Sequence, residues 1–244
     1  TFSNTGQDTA VDSTVLDNIP VGTSFVPGSL LVLPGSANAG AKTDVAGDDQ
    51  AEYVGTGTPR VVFRVGTGAD ASQGGSVPFN ASTSVQFDVT VNSGLAGGTE
   101  IINNVSIQYT GQTLGETLGT SKSQSTPTIV TVPPAISKSF APNPIAPGGL
   151  SVLTIQISNA AGNPANANDV RFSDTYPAGL VNAASPNPQI TCTPGSTPGT
   201  IVGGTAAGNS IGLNPGAILA PNGSCSITVN VTAAAAGNYA NITT

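Results

Sequence analysis

The sequence predicts an all-β protein built from two antiparallel β-sandwiches in tandem. Short segments in which apolar and polar residues alternate recur along the chain, with turn signals between them. Thr and Val favour strands, while the 31 Gly and 19 Pro punctuate them. One phrase also occurs twice, as "STVLDNIPVGTSF" from Ser13 and as "VRFSDTYPAGLVN" from Val170. These observations favour two similar β-rich modules over one.

The predicted strands follow in order along both halves of the chain. They begin at Arg60, Thr83, Asn103 and Pro127 in the first half, and at Ala135, Ser151, Asp169 and Cys225 in the second. Between the halves, Pro133 and Pro134 cannot donate hydrogen bonds to a sheet and form a stiff, extended joint. We therefore predict a first domain over residues 1–132 and a second over residues 133–244.

Composition argues against several classes of function. The net charge is −7 with only six Lys and Arg, so no basic patch is available for nucleic acid. No run of about 18 apolar residues is present, so we predict no membrane-spanning helix. The chain has no His, which is the commonest general base, and no Trp to serve as a sugar platform. We expect no enzymatic activity.

The repeated phrase places an aspartate on the core side of a strand in each module. Residues alternate through "VRFSD", so Val170, Phe172 and Asp174 point the same way, and "TVLD" gives the same parity for Val15 and Asp17. A carboxylate that faces a core is unfavourable unless a partner pairs with it. Each aspartate is therefore expected to have a specific partner.

The motifs around these strands resemble a known family. "SNTGQDTAVDSTVLDNIPVGTSFVPGSL" from Ser3 is similar to a bacterial surface-repeat domain of undefined function, whose consensus runs Asn-Thr-Gly, then Asp-Thr-Leu-Pro, then a Pro-Gly-Ser turn. The stretches "ISKSFAPNPIAPGGLSVLTIQISNAAGN" and "APNGSCSITVNVTAAAAGNYAN" of the second half resemble a sister repeat. The resemblance implies two immunoglobulin-like sandwiches from an extracellular, secreted or wall-anchored bacterial protein without catalytic activity.

The resemblance also implies that the first domain is incomplete at its N-terminus. Such repeats begin with two strands, which the second domain has at residues 135–140 and 151–158, whereas the first has only "TFS" in their place. Either the chain is a piece of a longer polypeptide, or a neighbouring copy donates the missing strands and joins subunits head to tail. We expect a structural stalk or filament subunit whose partners are copies of itself. The alternative is an adhesin module that binds a glycan or a host or matrix protein.

Lys138, Asp174 and Asn241 are candidates for an intramolecular isopeptide bond in the second domain. They occur in the order of the lysine, acid and asparagine that form such bonds in Gram-positive adhesin sandwiches, which these elements resemble. The alternatives are a Lys138–Asp174 ion pair, or a lysine whose ammonium reaches water. In the first domain Asp17 and Asn103 match the acid and the amide, but no lysine precedes them, so an equivalent bond would need a lysine from outside the chain.

Two further sets of residues are candidate sites. Cys192 and Cys225 lie in strand-like segments, which favours a disulfide between neighbouring strands and an oxidising, extracellular setting, with two free buried thiols as the alternative. A cluster of carboxylates supplies the oxygen ligands that calcium prefers, although a solvated acidic loop is the alternative. The residues of this candidate calcium site are Asp44, Asp48, Asp49, Glu52 and Asp70.

Overall fold

The structure is a computed structural model that describes residues 1–242, without the side chains of residues 118–123. Its described residues form strands and turns and contain no helix, which confirms the all-β prediction. Within them, no helix is long and apolar enough to cross a membrane. The chain divides into two compact units: unit 1 comprises Thr1–Leu95 and Glu100–Thr128, and unit 2 comprises Ala96–Thr99 and Ile129–Thr244.

The strands up to the end of unit 1 are short except for β2, β13 and β14. In chain order they are β1 Phe2–Ser3, β2 Ala10–Asn18, β3 Thr23–Phe25, β4 Leu31–Val32, β5 Gly40–Ala41, β6 Ala51–Val54, β7 Arg60–Arg64, β8 Gly75–Val77, β9 Ser82–Thr83, β10 Val85–Gln86, β11 Val89–Val91, β12 Glu100–Ile101, β13 Asn104–Gly111 and β14 Thr117–Gln124. The main sheet has the order β14-β13-β2-β7-β6, and β8 also pairs with β2. The smaller antiparallel pairings are β1 with β9, β4 with both β10 and β5, and β11 with β3.

The remaining strands include the long ones that build unit 2. They are β15 Thr128–Ile129, β16 Ala135–Ala141, β17 Leu150–Ser158, β18 Ala167–Thr175, β19 Leu180–Asn182, β20 Gln189–Cys192, β21 Ile201–Gly203, β22 Ser210–Leu219 and β23 Ser224–Ala233. One antiparallel sheet has the order β16-β17-β23-β19, with β20 also paired to β23, and a second has the order β18-β22-β21.

Each unit has its own hydrophobic core, formed by the inward side chains of its alternating strands. In unit 1 the buried residues are Val15, Leu30, Val32, Ala51, Val61, Phe63, Val65 and Ile107. In unit 2 they come from both sheets and include Leu153, Ile155, Ile157, Ile211, Leu213, Leu219, Ile227, Val229 and Val231. Burial of alternate residues explains why the period of two in the sequence identified these strands.

The twice-repeated phrase has the same local structure in both units. Thr23 N–H donates to the carbonyl of Pro20 at 3.1 Å, and Leu180 N–H donates to that of Pro177, also at 3.1 Å. The glycine inside each turn has a positive φ, 85° at Gly22 and 92° at Gly179, a conformation that glycine adopts without steric penalty. Each strand of the phrase therefore ends one residue after its aspartate, and the same tight turn follows it.

Candidate functional site

Lys138, Asp174 and Asn241 meet in unit 2, as the sequence predicted for an isopeptide site. Lys138 lies on β16, Asp174 lies on β18 in the other sheet, and Asn241 follows β23. Lys138 Nζ is 2.6 Å from Asp174 Oδ1, while Asn241 Nδ2 donates to Asp174 Oδ2 at 2.9 Å. Lys138 Nζ is also 3.5 Å from the main-chain carbonyl oxygen of Asn241. One carboxylate thus holds the amine and the amide side by side.

This group is enclosed by the core of unit 2. Asp174 is fully buried, and the Lys138 side chain is only 13% exposed. Burial, together with the nearby charge of Asp174, raises the pKa of Tyr176, whose hydroxyl donates to Asn182 Oδ1 at 2.9 Å. Charges are costly to bury unless paired, so Lys138 and Asp174 stabilise each other as an ion pair in this position.

The side-chain oxygen of Asn241 is buried and accepts no hydrogen bond from the described residues. A buried amide oxygen is normally satisfied, because an unpaired one loses its hydrogen bond to water without replacement. Within the described part of the chain, the carboxamide is therefore held only through its Nδ2, by the same carboxylate that receives the Lys138 amine.

Unit 1 contains the same pair of acid and amide. Asn103 Nδ2 donates to Asp17 Oδ2 at 3.0 Å, and Asn103 Oδ1, like that of Asn241, is buried without a partner among the residues described. Asp17 is only 9% exposed. The difference lies at its other oxygen: Asp17 Oδ1 has no hydrogen-bond partner among the described residues, whereas Asp174 Oδ1 receives Lys138.

Asp17 is buried without a cationic partner among the described side chains, and its pKa is raised. Burial raises its pKa from 3.8 to about 6, and the hydrogen bond from Asn103 lowers it only in part. No ion pair found among the described side chains involves this carboxylate. Asp17 is therefore a buried acid that has no counter-charge among the described side chains.

The stability of unit 1 is expected to fall as the pH rises from about 4 to about 6. Because the folded pKa of Asp17 is raised, the neutral carboxyl stabilises the fold, and this contribution is full below the unfolded value and lost as the pH passes the folded one. The resulting decrease in the free energy of unfolding is up to roughly 3 kcal/mol. Urea unfolding monitored by hydrogen exchange measures this decrease, because the exchange of each unit can be observed separately.

The Asp17→Asn variant is the matched control for this pH dependence. Its amide does not titrate, so the difference in unfolding free energy between the wild type and the variant isolates Asp17 from all other carboxylates. As the pH rises from about 4 to about 6, we expect the wild type to lose unfolding free energy relative to the variant. A difference that stays constant between pH 4 and pH 8 would contradict the assignment.

The two cysteines form the predicted disulfide. Cys192 on β20 and Cys225 on β23 are opposite each other in the antiparallel register, and their sulfurs are bonded. Cys225 is fully buried in the core cluster of unit 2. The bond indicates an oxidising environment, because disulfides persist in oxidising compartments and are rare in reducing ones.

Comparison with known proteins adds one match, which lies in the second half. Residues 134–244 match a family model described as a domain of unknown function (DUF7933). No curated protein matches the chain. The matched segment contains Lys138, Asp174, Asn241 and both cysteines.

The acidic residues of the predicted calcium site do not come together. Among the described residues, no group of three or more His, Cys, Asp or Glu is placed to hold a metal ion. Glu52 instead pairs with Arg64 at 2.6 Å across β6 and β7. Asp70 Oδ1 accepts from the backbone N–H groups of Ser72 and Gln73, which lower its pKa.

The other three carboxylates of that prediction also serve their own loops. Asp44 Oδ2 accepts from the backbone N–H of Gly28 at 2.8 Å. Asp48 Oδ2 accepts from the Thr43 hydroxyl, and Asp49 accepts from the backbone N–H groups of Thr43 and Ala51. These oxygens are used to close turns, which is why the acidic stretch does not assemble a ligand shell.

Two buried asparagines also shape the units, although the sequence did not identify them as structural. Asn4 Nδ2 donates to the carbonyls of Asp8 and Val77 at 2.8 Å each. Asn159 Nδ2 donates to the carbonyls of Ala165, Leu219 and Ala220. The sequence feature that could have identified these asparagines is the Ser-Asn pair that precedes both copies of the repeated phrase.

Proposed function

We propose that this chain is a load-bearing structural module of an extracellular bacterial surface protein, stalk or filament, built from immunoglobulin-like sandwiches. The observation that carries the proposal is the buried group of Lys138, Asp174 and Asn241, which has the composition and contacts of an isopeptide site. The disulfide adds a second covalent tie in the same unit. A domain with two such ties is suited to holding its shape under force.

The bond forms in unit 2 by condensation of the lysine and the asparagine. Asp174 takes a proton from the Lys138 ammonium, and the resulting neutral amine attacks Cγ of Asn241. The Nζ–Cγ bond forms and the Cγ–Nδ2 bond breaks. Nδ2 takes a hydrogen from the attacking nitrogen, and with the proton held by Asp174 it leaves as ammonium. No oxidant or cofactor takes part.

The position of the bond gives it a mechanical role. Lys138 lies on the first long strand of unit 2, and Asn241 follows the last one, so the cross-link joins the two ends of the unit. Tension applied through those ends then passes through a covalent bond instead of the strand hydrogen bonds. The disulfide between β20 and β23 closes a shorter loop that lies within the one closed by this cross-link.

Assembly of such modules by strand donation, head to tail, is the second part of the proposal. It is supported by the recurrence of the same strand phrase and the same acid–amide pair in both units, of which only the pair in unit 2 contacts a lysine among the described side chains. Addition of a strand supplies backbone hydrogen bonds and places alternate side chains in pockets. A donated strand would supply unit 1 with what β16 supplies to unit 2.

The intact mass of the purified chain tests the intramolecular bond. We expect a mass about 17 Da below that of the sequence, from loss of ammonia, and about 2 Da lower again from the disulfide. Lys138→Met and Asn241→Ala are each expected to restore the 17 Da, while Lys42→Met, which removes a lysine outside the site, is expected to leave the loss in place. A chain that lacks only the disulfide hydrogens would contradict the cross-link.

A further inference from the structure

Unit 1 has an open groove beside β2 and β13. Its volume is about 550 Å³, and its walls include the apolar side chains of Phe2, Val15, Val85, Val105 and Ile107. Phe2, Val85 and Val105 are only partly buried although they pack against the core of unit 1. The groove therefore presents core-type surface that nothing in the described residues covers.

Asp17 stands in the wall of this groove. Asp17 is nine-tenths buried, and its Oδ1 has no partner in the part of the chain that the structure describes, while Oδ2 accepts from the carboxamide of Asn103. A buried carboxylate oxygen without a donor is unfavourable, so the site is complementary to a group that brings both a positive charge and hydrogen-bond donors. A lysine ammonium provides both.

Unit 2 shows what completes an identical pair. There, β16 runs along β17 at the edge of its sheet and brings Lys138 Nζ to Asp174 Oδ1, while Phe140 of the same strand packs against the core. Lys138 and Phe140 are separated by one residue and point to the same side of β16. The described residues of unit 1 provide no equivalent of this strand, which carries a lysine and an apolar residue at alternate positions.

We propose that the groove of unit 1 binds a lysine-bearing β-strand of a second polypeptide chain, and that Asp17 and Asn103 join its lysine to Asn103 through an isopeptide bond. This inference rests on the proposed assembly by strand donation and makes that assembly covalent. The apolar walls bind the alternating side chains of the strand, and the unpaired oxygen of Asp17 selects lysine among them.

The reaction follows the same balance of atoms as in unit 2. Asp17 accepts a proton from the incoming ammonium, and the neutral amine attacks Cγ of Asn103. The Nζ–Cγ bond forms, the Cγ–Nδ2 bond breaks, and Nδ2 leaves as ammonium with one hydrogen from the amine and the proton from Asp17. The adduct weighs about 17 Da less than the sum of the chain and its partner strand.

A peptide with the sequence of β16, AISKSFA, is the probe for this reaction. It is incubated with the full chain, and the products are analysed by intact mass and by fragment mapping. We expect a one-to-one adduct at Asn103. The Asn103→Ala variant is expected to form none, Asn241→Ala is expected to form it normally, and the same peptide with Met in place of its lysine is expected to bind without reacting.

Each outcome of this experiment bears on the inference. Binding of the lysine peptide without an adduct overturns the covalent step, while strand donation stands. Absence of both binding and adduct overturns the groove as an acceptor, and the 17 Da loss in unit 2 remains a separate test of the proposed function. SDS-stable oligomers of the chain alone, with a lysine of one copy bonded to Asn103 of another, support the inference and identify a second copy as the donor.

Discussion

Replacing Asp174 with alanine is expected to lower the free energy of unfolding of unit 2 by about 3–5 kcal/mol. The substitution removes a fully buried carboxylate and leaves the Lys138 ammonium, which is 13% exposed, without its counter-charge. It also removes the acceptor that holds the carboxamide of Asn241. Denaturant unfolding followed by hydrogen exchange measures the loss in unit 2, with unit 1 in the same chain as a reference.

Asp169→Asn is the matched control for this prediction. Asp169 lies on the same strand, is exposed, and has a φ of 57°, which asparagine tolerates. Its replacement removes one carboxylate from β18 without touching the buried group, so we expect a change within about 0.5 kcal/mol. A loss as large as that of Asp174→Ala would show that the charge of β18, and not the buried contact, determines stability.

A double substitution separates the ion pair from the covalent bond. Removing both partners of a buried ion pair is often close to neutral, because no unpaired charge is left. If the contact is only ionic, Lys138→Met is expected to recover most of the stability lost in Asp174→Ala. If Lys138 is bonded to Asn241 in the wild type, the double variant still relieves the unpaired charge, but it is expected to stay less stable than the wild type by the contribution of the lost cross-link.

The acid–amide sites were predictable because strand parity is local information. Alternation through "VRFSD" and "TVLD" determines which side chains face the core, and the structure buries both Asp17 and Asp174. Alternation also describes part of β16, where Lys138 and Phe140 are partly buried. It fails at Ile136, which has the same parity but is 46% exposed.

Strand pairing was less predictable, because it depends on distant parts of the chain. The segment from Thr83 alternates like one long strand, yet the structure divides it into β9, β10 and β11. These pieces pair with β1, β4 and β3 in turn, so each hydrogen-bonds to a different part of unit 1. Alternation indicates which residues face the core but carries no information about the partner strand.

The acidic loops show a different limit of the sequence. Composition reveals that carboxylates are close in the chain, but not which donors their oxygens will accept. In "KTDVAGDDQAEY" the turns bring backbone N–H groups and the Thr43 hydroxyl to Asp48 and Asp49 first. Because short polar side chains readily bond to nearby backbone, such local bonds compete with a ligand shell.

Removing the disulfide is the second change expected to have a large effect. Cys192 and Cys225 are 33 positions apart, and a cross-link that closes a loop of this length restricts the unfolded chain by about 3–4 kcal/mol in the chain-entropy model. The double variant Cys192→Ala/Cys225→Ala is expected to lower the unfolding free energy of unit 2 by that amount. Differential scanning calorimetry and denaturant unfolding measure it.

Unit 1 holds no cysteine and is the internal reference for this experiment, so its unfolding is expected to be unchanged in the double variant.

The disulfide joins β20 to β23, whereas the Lys138–Asn241 bond would join β16 to the segment after β23, so the two ties close overlapping loops of unit 2. Once one tie restricts the unfolded chain, the other has less entropy left to remove. We therefore expect the loss from Cys192→Ala/Cys225→Ala to be larger in a Lys138→Met background than in the wild type. Equal losses in both backgrounds would mean that no second covalent tie is present in unit 2.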